Sequence, residues 1–547
     1  MTTADSTANA HREHTNNRPP MPPRWRTLKR SLLTAGVIIA SMILLRLAWG
    51  CEANRRLQAK IAEYRAAGYP VLIEDIVEPE VADEENAAEY YKRAHAALVE
   101  TIDQDVTYIY GDPEQISVGA LAMPDYYPNL LTTEADAVRR LLDANAETLR
   151  LMREARRCAA ANWGIELRSP LILNLPRYSL VAERNLAKLA CGAADFHHAY
   201  GEDAHAVELL RDALAVGKHL CSPRGLMLPY LVATGTSGLT VTSVERITAT
   251  LTIGDTGSAC AGEAAEPASR NQVMALIAEL LNDEPHRLGW QYAILSERVI
   301  TLDTLQAIRA GECTFLLGNL MPPSAGARWE APVRWVLEPL FILDAIVLTD
   351  HWTALHLAGN APNWPEALDL APSPLSLQSQ FERRIRCQIS CLGNFSDPTD
   401  MLQRHYQTIA RRRLAATALA LRLYELDRGH RPALLAELTP DYIDTVPEDP
   451  FMPNGEPLRY APDRRWPLLY SIGRNGKDDS GYEYTSPEDM RYGWMDLPFY
   501  LDGQKPPREE RTKDHPANSP QTADYDADVQ DDPGDTDEQQ PGHDHPG

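Results

Sequence analysis

Ser31 to Gly50 is a run of about twenty residues with a single charge, Arg46, and with Val37, Ile38, Ile39, Met42, Ile43, Leu44 and Leu45 at its centre. At about 1.5 Å per residue such a run covers a hydrocarbon core of about 30 Å as a helix. No other stretch of the chain is comparably long and apolar. Arg24, Arg26, Lys29 and Arg30 precede it, which predicts a cytoplasmic N-terminus and a bulk that lies outside the cytoplasm. Arg46 falls within a turn of the far interface, where a long side chain can snorkel, and Trp49 suits that interface. Residues 1–23 are polar and rich in Asn, Thr and Pro, a composition expected to stay disordered. The span over 24–50 therefore reads as a single-pass anchor in the cell membrane.

Two other fates compete for the same residues. A cleaved secretory signal wants a shorter apolar core and small residues at the cut. Leu47-Ala48-Trp49-Gly50-Cys51 is similar to a bacterial lipoprotein cleavage site, which would make Cys51 the lipidated residue. Trp49 and Arg46 depart from that pattern, and the uncleaved anchor is the preferred reading.

Beyond the span, apolar residues recur at helical spacing. The expected helices are 52–67, 83–100, one starting near Thr133 and Asp136 (a capping-box pair), two within 178–220 broken at Gly201, then 226–250, 269–282, 286–310, 333–358 and 378–391. Stretches 252–268, 318–332 and 359–377 carry Gly, Pro and Ser and read as loops. No long alternating run precedes residue 440. Residues 51–398 are therefore predicted to form an all-α bundle or an irregular solenoid of paired helices.

Within 187–220, Gly201 at the turn and Ala206, Leu210 and Ala213 beyond it resemble the second helix of a tetratricopeptide repeat. The likeness covers about half of one repeat, and a plain helical hairpin explains the same residues.

Residues 399–428 predict a long helix that ends with Leu423, Tyr424, Leu426 and Asp427, capped by Gly429 with Pro432 beyond. Val446 to Phe451, Gly455 to Tyr460, Leu469 to Gly473 and Asn475 to Asp479 follow. This order resembles the C-terminal region of the major pseudopilins of type II secretion systems. The residues alone predict a small hairpin, with strands near Leu458–Tyr460 and Leu468–Ile472, packed on the helix. The resemblance implies a calcium ion in the loop after the glycine turn, at Asp478, Asp479 and Asp489, with Glu483 and Glu488 nearby. A solvated acidic turn is the plainer alternative for that loop. In pseudopilins the membrane span begins the same helix; here that helix carries His405 and Arg411 to Arg413. The span of this chain is thus a tether and not an assembly helix. The module occupies 399–502, and 503–547 reads as a disordered acidic tail. Asp524, Asp526 and Asp528 alternate as in an EF-hand loop, but Val529 stands where glycine is required.

The net charge of −24 excludes nucleic acid as an expected partner. The eight cysteines are scattered without a CxxC and read mostly as small buried residues, although an extracytoplasmic domain could hold a disulfide or two. No P-loop, HExxH or nucleophile elbow occurs; Gly235-Thr-Ser-Gly238 lies in a helical pattern and lacks the strand that a serine nucleophile needs. His197 and His198 are adjacent and His351 and His356 are five apart, both poor spacings for a metal pair on a helix. No catalytic residue or cofactor is assigned. The expected role is a membrane-tethered helical scaffold for a protein partner. An accessory part of an envelope secretion or pilus-like system, and a helical hydrolase or binding protein for an envelope polymer, are the alternatives.

Overall fold

In the computed structural model the described residues are 23–101, 117–122, 131–132, 134–174, 180–221, 225–254, 266–312, 330–372, 398–482 and 495–503. The expected helix 378–391, residues 1–22, the tail with its aspartate repeat, and Asp489, Glu483 and Glu488 lie outside them.

The fold is mainly helical. The first helix, α1, runs unbroken from Pro23 to Ala66, and its 44 residues extend about 66 Å. It is long and apolar enough to cross a membrane, and its apolar stretch is wholly unburied, with Leu33 and Leu45 each 73% exposed. Past Gly50 its character changes. Ala53, Leu57 and Tyr64 turn one face into a core shared with two later helices, through Leu305, Ile308, Phe341, Ala345 and Leu348. The apolar helix is therefore continuous with the body.

The remaining helices are α2 (Ala87–Ala97), α3 (Val118–Leu121), α4 (Ala135–Ala144), α5 (Ala146–Arg157), α6 (Leu171–Asn174), α7 (Leu180–Ala199), α8 (Asp203–Leu220), α9 (Met227–Thr248), α10 (Arg270–Leu281), α11 (Glu284–Ala310), α12 (Glu330–Gly359), α13 (Trp364–Leu370) and α14 (Pro398–Arg428). The pair α7 and α8 packs as an antiparallel hairpin around Gly201, α9 lies against both, and α14 crosses α9 and α10. One apolar core runs from Ala87 through α7, α8, α9 and α14 to Phe499. The C-terminal module is seated on that core.

Arg46 does more than snorkel. Pro339 sits inside α12 and has no N–H for the carbonyl of Trp335, four residues back. The Arg46 guanidinium supplies the missing donor: its Nε lies 2.7 Å from that carbonyl, its Nη2 lies 3.0 Å from the Glu338 carboxylate, and its charge lies 4.7 Å from the Trp335 ring. Glu338 also accepts from Arg309 of α11 at 2.9 Å. One charged residue in the apolar run thus satisfies the carbonyl that Pro339 leaves unpaired and fastens α12 to α1. Further along, Arg298 is fully buried between the rings of Tyr64 and Tyr69, 4.5 and 4.8 Å away, and donates to the carbonyl of Pro70.

Three local expectations change. The helix near residue 134 is two helices, because the wholly buried Asn145 between them turns its side chain to the backbone of Val99, donating to its carbonyl and accepting from its N–H. Its N-cap position is Glu134, without a side-chain cap, and Thr133 lies outside the described residues. The loop expected over 359–377 contains α13, capped by Asn363 with Pro365 in its first turn. The expected hairpin is a three-stranded antiparallel sheet: β1 (Arg459–Ala461), β2 (Leu468–Ser471) and β3 (Leu497–Tyr500), with β2 central.

Candidate functional site

Two hollows line one face of α9. The larger, about 570 Å³, is bounded by Val241, Glu245, Leu414, Leu497, Phe499 and Gly503. The other, about 490 Å³, is bounded by Ala122, Arg184, Leu231, Gly235, Gly238 and Leu239. Thr242, Arg246 and Arg411 border both, so the two join into one cleft among α7, α9, α14 and β3. Its openness on α9 comes from Gly235 and Gly238. A Cβ at either would meet nothing within 4 Å, so the helix presents bare backbone there.

The charges along this cleft oppose the chain's overall sign. Arg246 forms a buried ion pair with Asp195, whose carboxyl burial pushes up to about 6 against the pull of Arg246. Arg184 and Arg411 are exposed and have no hydrogen-bond or ion-pair partner among the described residues. Lys188, one turn beyond Arg184 on α7, has its pKa lowered first by burial and then by Arg184. Glu245 is the carboxylate at the rim, and it accepts from the backbone N–H of Tyr500 at 3.1 Å. Apolar walls with partnerless guanidinium groups can bind an anionic ligand with an apolar body. The Gly-Thr-Ser-Gly stretch was legible as a motif, but its meaning was not, because Arg184 and Arg411 lie far from it in sequence.

The carboxylates expected to hold calcium are only partly assembled. Asp478 accepts from the Tyr470 hydroxyl at 3.0 Å and the Ser480 N–H at 2.9 Å. Asp479 accepts from Asn475 at 2.7 Å and the Met495 N–H at 3.0 Å. Asp489 lies outside the described residues. The residue missed by sequence reading is Asp496, at the start of β3. It is 1% exposed; one carboxylate oxygen accepts from the Gly481 N–H at 2.7 Å and the other has no partner. Burial, then the charges of Asp479 and Asp478, push its pKa up to about 8. Among the described residues no three metal-binding side chains converge into a complete site.

The histidines hold structure together. His197 pairs with Glu202 and His198 with Asp203 across the α7–α8 turn. His351 and His356 are separately buried, and burial lowers each to about 4. Cys51 is exposed on an unbroken stretch of α1, while Cys158, Cys191 and Cys221 are buried free thiols. The chain matches no protein-family model, no curated protein and no solved structure.

Proposed function

We propose that this protein is a membrane-tethered, extracytoplasmic helical scaffold whose ligand site is the arginine-lined cleft on α9, and that the cleft takes acidic segments of a protein partner. One observation carries this reading: Arg184 and Arg411 have no partner among the described residues and stand in a glycine-bared cleft, on a chain of net charge −24. Guanidinium groups gathered along one cleft of so acidic a protein make a local positive field complementary to an anionic partner. The apolar helix supports the tethered part of this reading, because the clamp at Arg46 joins it rigidly to the body. The cleft's cationic lining does not suit a carboxylate-based hydrolase.

The test is titration of a fluorescein-labelled peptide of about ten glutamates against the full chain in detergent. Binding should weaken about tenfold in an Arg184→Glu, Arg411→Glu variant, a loss of about 1.4 kcal/mol. It should also fall as salt rises. Equal affinity for wild type and variant ends this reading.

The unpartnered oxygen of Asp496 favours a second, smaller role for the sheet, as a calcium site completed with Asp478, Asp479 and Asp489. Calcium prefers clustered hard oxygens, and here it must displace the proton that Asp496 holds. Millimolar calcium is therefore expected to raise the melting temperature more at pH 8.5 than at pH 6. Asp496→Asn should remove the shift, and no shift at either pH would take calcium out of this loop.

A further inference from the structure

We infer that the chain's own acidic tail, Asp514 to Gly547, docks in the arginine-lined cleft and occupies it until an outside acidic ligand displaces it. This rests on the reading of the cleft as an acidic-peptide site and adds its regulation.

Position comes first. The last described residue, Gly503, is itself part of the cleft wall, beside Arg246 and Arg411. A Cβ at Gly503 would lie 3.3 Å from Ala249 and 3.4 Å from the carbonyl of Arg246, so the chain leaves the body pressed against the C-terminal end of α9. Reach follows from length. About eleven residues separate Gly503 from Asp514, enough to span up to about 35 Å when extended.

Charge supplies the complementarity. From Asp514 onward the chain carries aspartates and one glutamate, including Asp531, Asp532, Asp535, Asp537 and Glu538, and no lysine or arginine. The stretch before it, Lys505 to Lys513, is mixed in sign and serves as a spacer. A tethered ligand faces its site at an effective concentration of about millimolar, so even a weak acidic segment can fill it. Tyr525 and Val529 add apolar side chains for the walls formed by Leu231, Leu239 and Phe499.

Chymotrypsin cleavage after Tyr525 in the full-length protein, followed by intact mass, reads the docked state. At low salt the wild-type tail should be cut several-fold more slowly than in two variants. One carries Arg184→Glu and Arg411→Glu; the other carries Asp531→Lys, Asp532→Lys, Asp535→Lys and Asp537→Lys. The four tail positions lie outside the described residues, so that variant leaves every contact between described residues in place. Joining both sets swaps the charges and should restore protection, which a misfolded body could not do. Salt near 1 M, where screening acts within about 3 Å, should abolish protection. Equal cleavage in all four proteins overturns the inference. The polyglutamate titration separates it from the reading beneath it. Tighter peptide binding by the tail variant than by wild type supports both. Equal peptide binding with equal cleavage overturns tail docking and leaves the cleft as a peptide site. Loss of all peptide binding with the charge-swap pattern intact overturns the outside ligand alone.

Discussion

Gly359→Ala is expected to cost stability at or beyond the upper end of the roughly 1–3 kcal/mol that overpacking a core usually costs. A Cβ at Gly359 would lie 1.8 Å from Nε1 of Trp290 and 2.4 Å from two of its ring carbons, and Trp290 is wholly buried. Neither partner can retreat. The end of α12 is held by α14, because the Tyr406 hydroxyl lies 3.0 and 2.8 Å from the carbonyls of Ala358 and Ala361, and His405 Nε2 lies 3.1 Å from that of Gly359. Gly235→Ala is the control with the opposite sign. It sits inside a helix over open space, so alanine should stabilise by about 0.5–1 kcal/mol. Thermal unfolding in detergent measures both, and an unchanged midpoint for Gly359→Ala would mean that the close approach is not what holds α11 to α12.

The contacts around Gly359 belong to a polar chain with one consistent direction. His405 Nε2 donates to the Gly359 carbonyl, which leaves Nδ1 as an acceptor for the Tyr230 hydroxyl at 2.8 Å. The Tyr230 oxygen in turn accepts from His286 Nε2 at 2.9 Å. His405 must be neutral for this order to hold, and burial lowers both rings, His286 to about 3. The chain ties α9, α11, α12 and α14 into one unit through groups whose loss would leave buried donors or acceptors unmet.

None of that chain was legible in the sequence. Tyr230, His286 and His405 share no local spacing, and only the packed helices bring them together. What periodicity could carry, it carried: α2 buries Ala87, Ala88, Tyr91 and Ala94, and Gly429, with φ of 76°, ends α14. The third strand escaped because Leu497 to Tyr500 is too short to show alternation. Its clue was Gly473, whose positive φ and lack of a Cβ let the carbonyl of Met495 come to within 1.8 Å of where one would be. Arg46 looked like a defect of the span because its partner carbonyl, freed by Pro339, is nearly 290 residues away in sequence. Asp496 went unnoticed as a lone aspartate before a short strand.

Glu297→Gln should raise stability by about 2 kcal/mol near pH 6 and by about 4–5 kcal/mol above pH 8, and change little near pH 4. Glu297 lies on α11, 5% exposed and without an ion pair among the described residues, and burial alone pushes its carboxyl up to about 8. The unfolded chain releases that proton near the usual carboxylate value, about 4.3. Between those two values the folded state holds a proton that the unfolded state has lost, so stability falls as pH rises through the window and levels off above 8. At about 1.4 kcal/mol per unit the full effect is on the order of 4–5 kcal/mol. The buried histidines have the opposite sign. Their folded values lie below about 6.5, so they lower stability as pH falls beneath that point, and in that range they oppose the carboxyls. Above pH 6.5 they are neutral in both states and fall silent. Asp496, also near 8, and Glu78, pushed by burial to about 7, then share the decline with Glu297. Melting curves at pH 4, 6, 8 and 9 should therefore converge for wild type and variant at pH 4, separate through pH 6 and 8, and stay apart by a constant amount beyond pH 8. Parallel curves would mean that Glu297 is ionised throughout, with a counter-charge close enough to hold it so in the core.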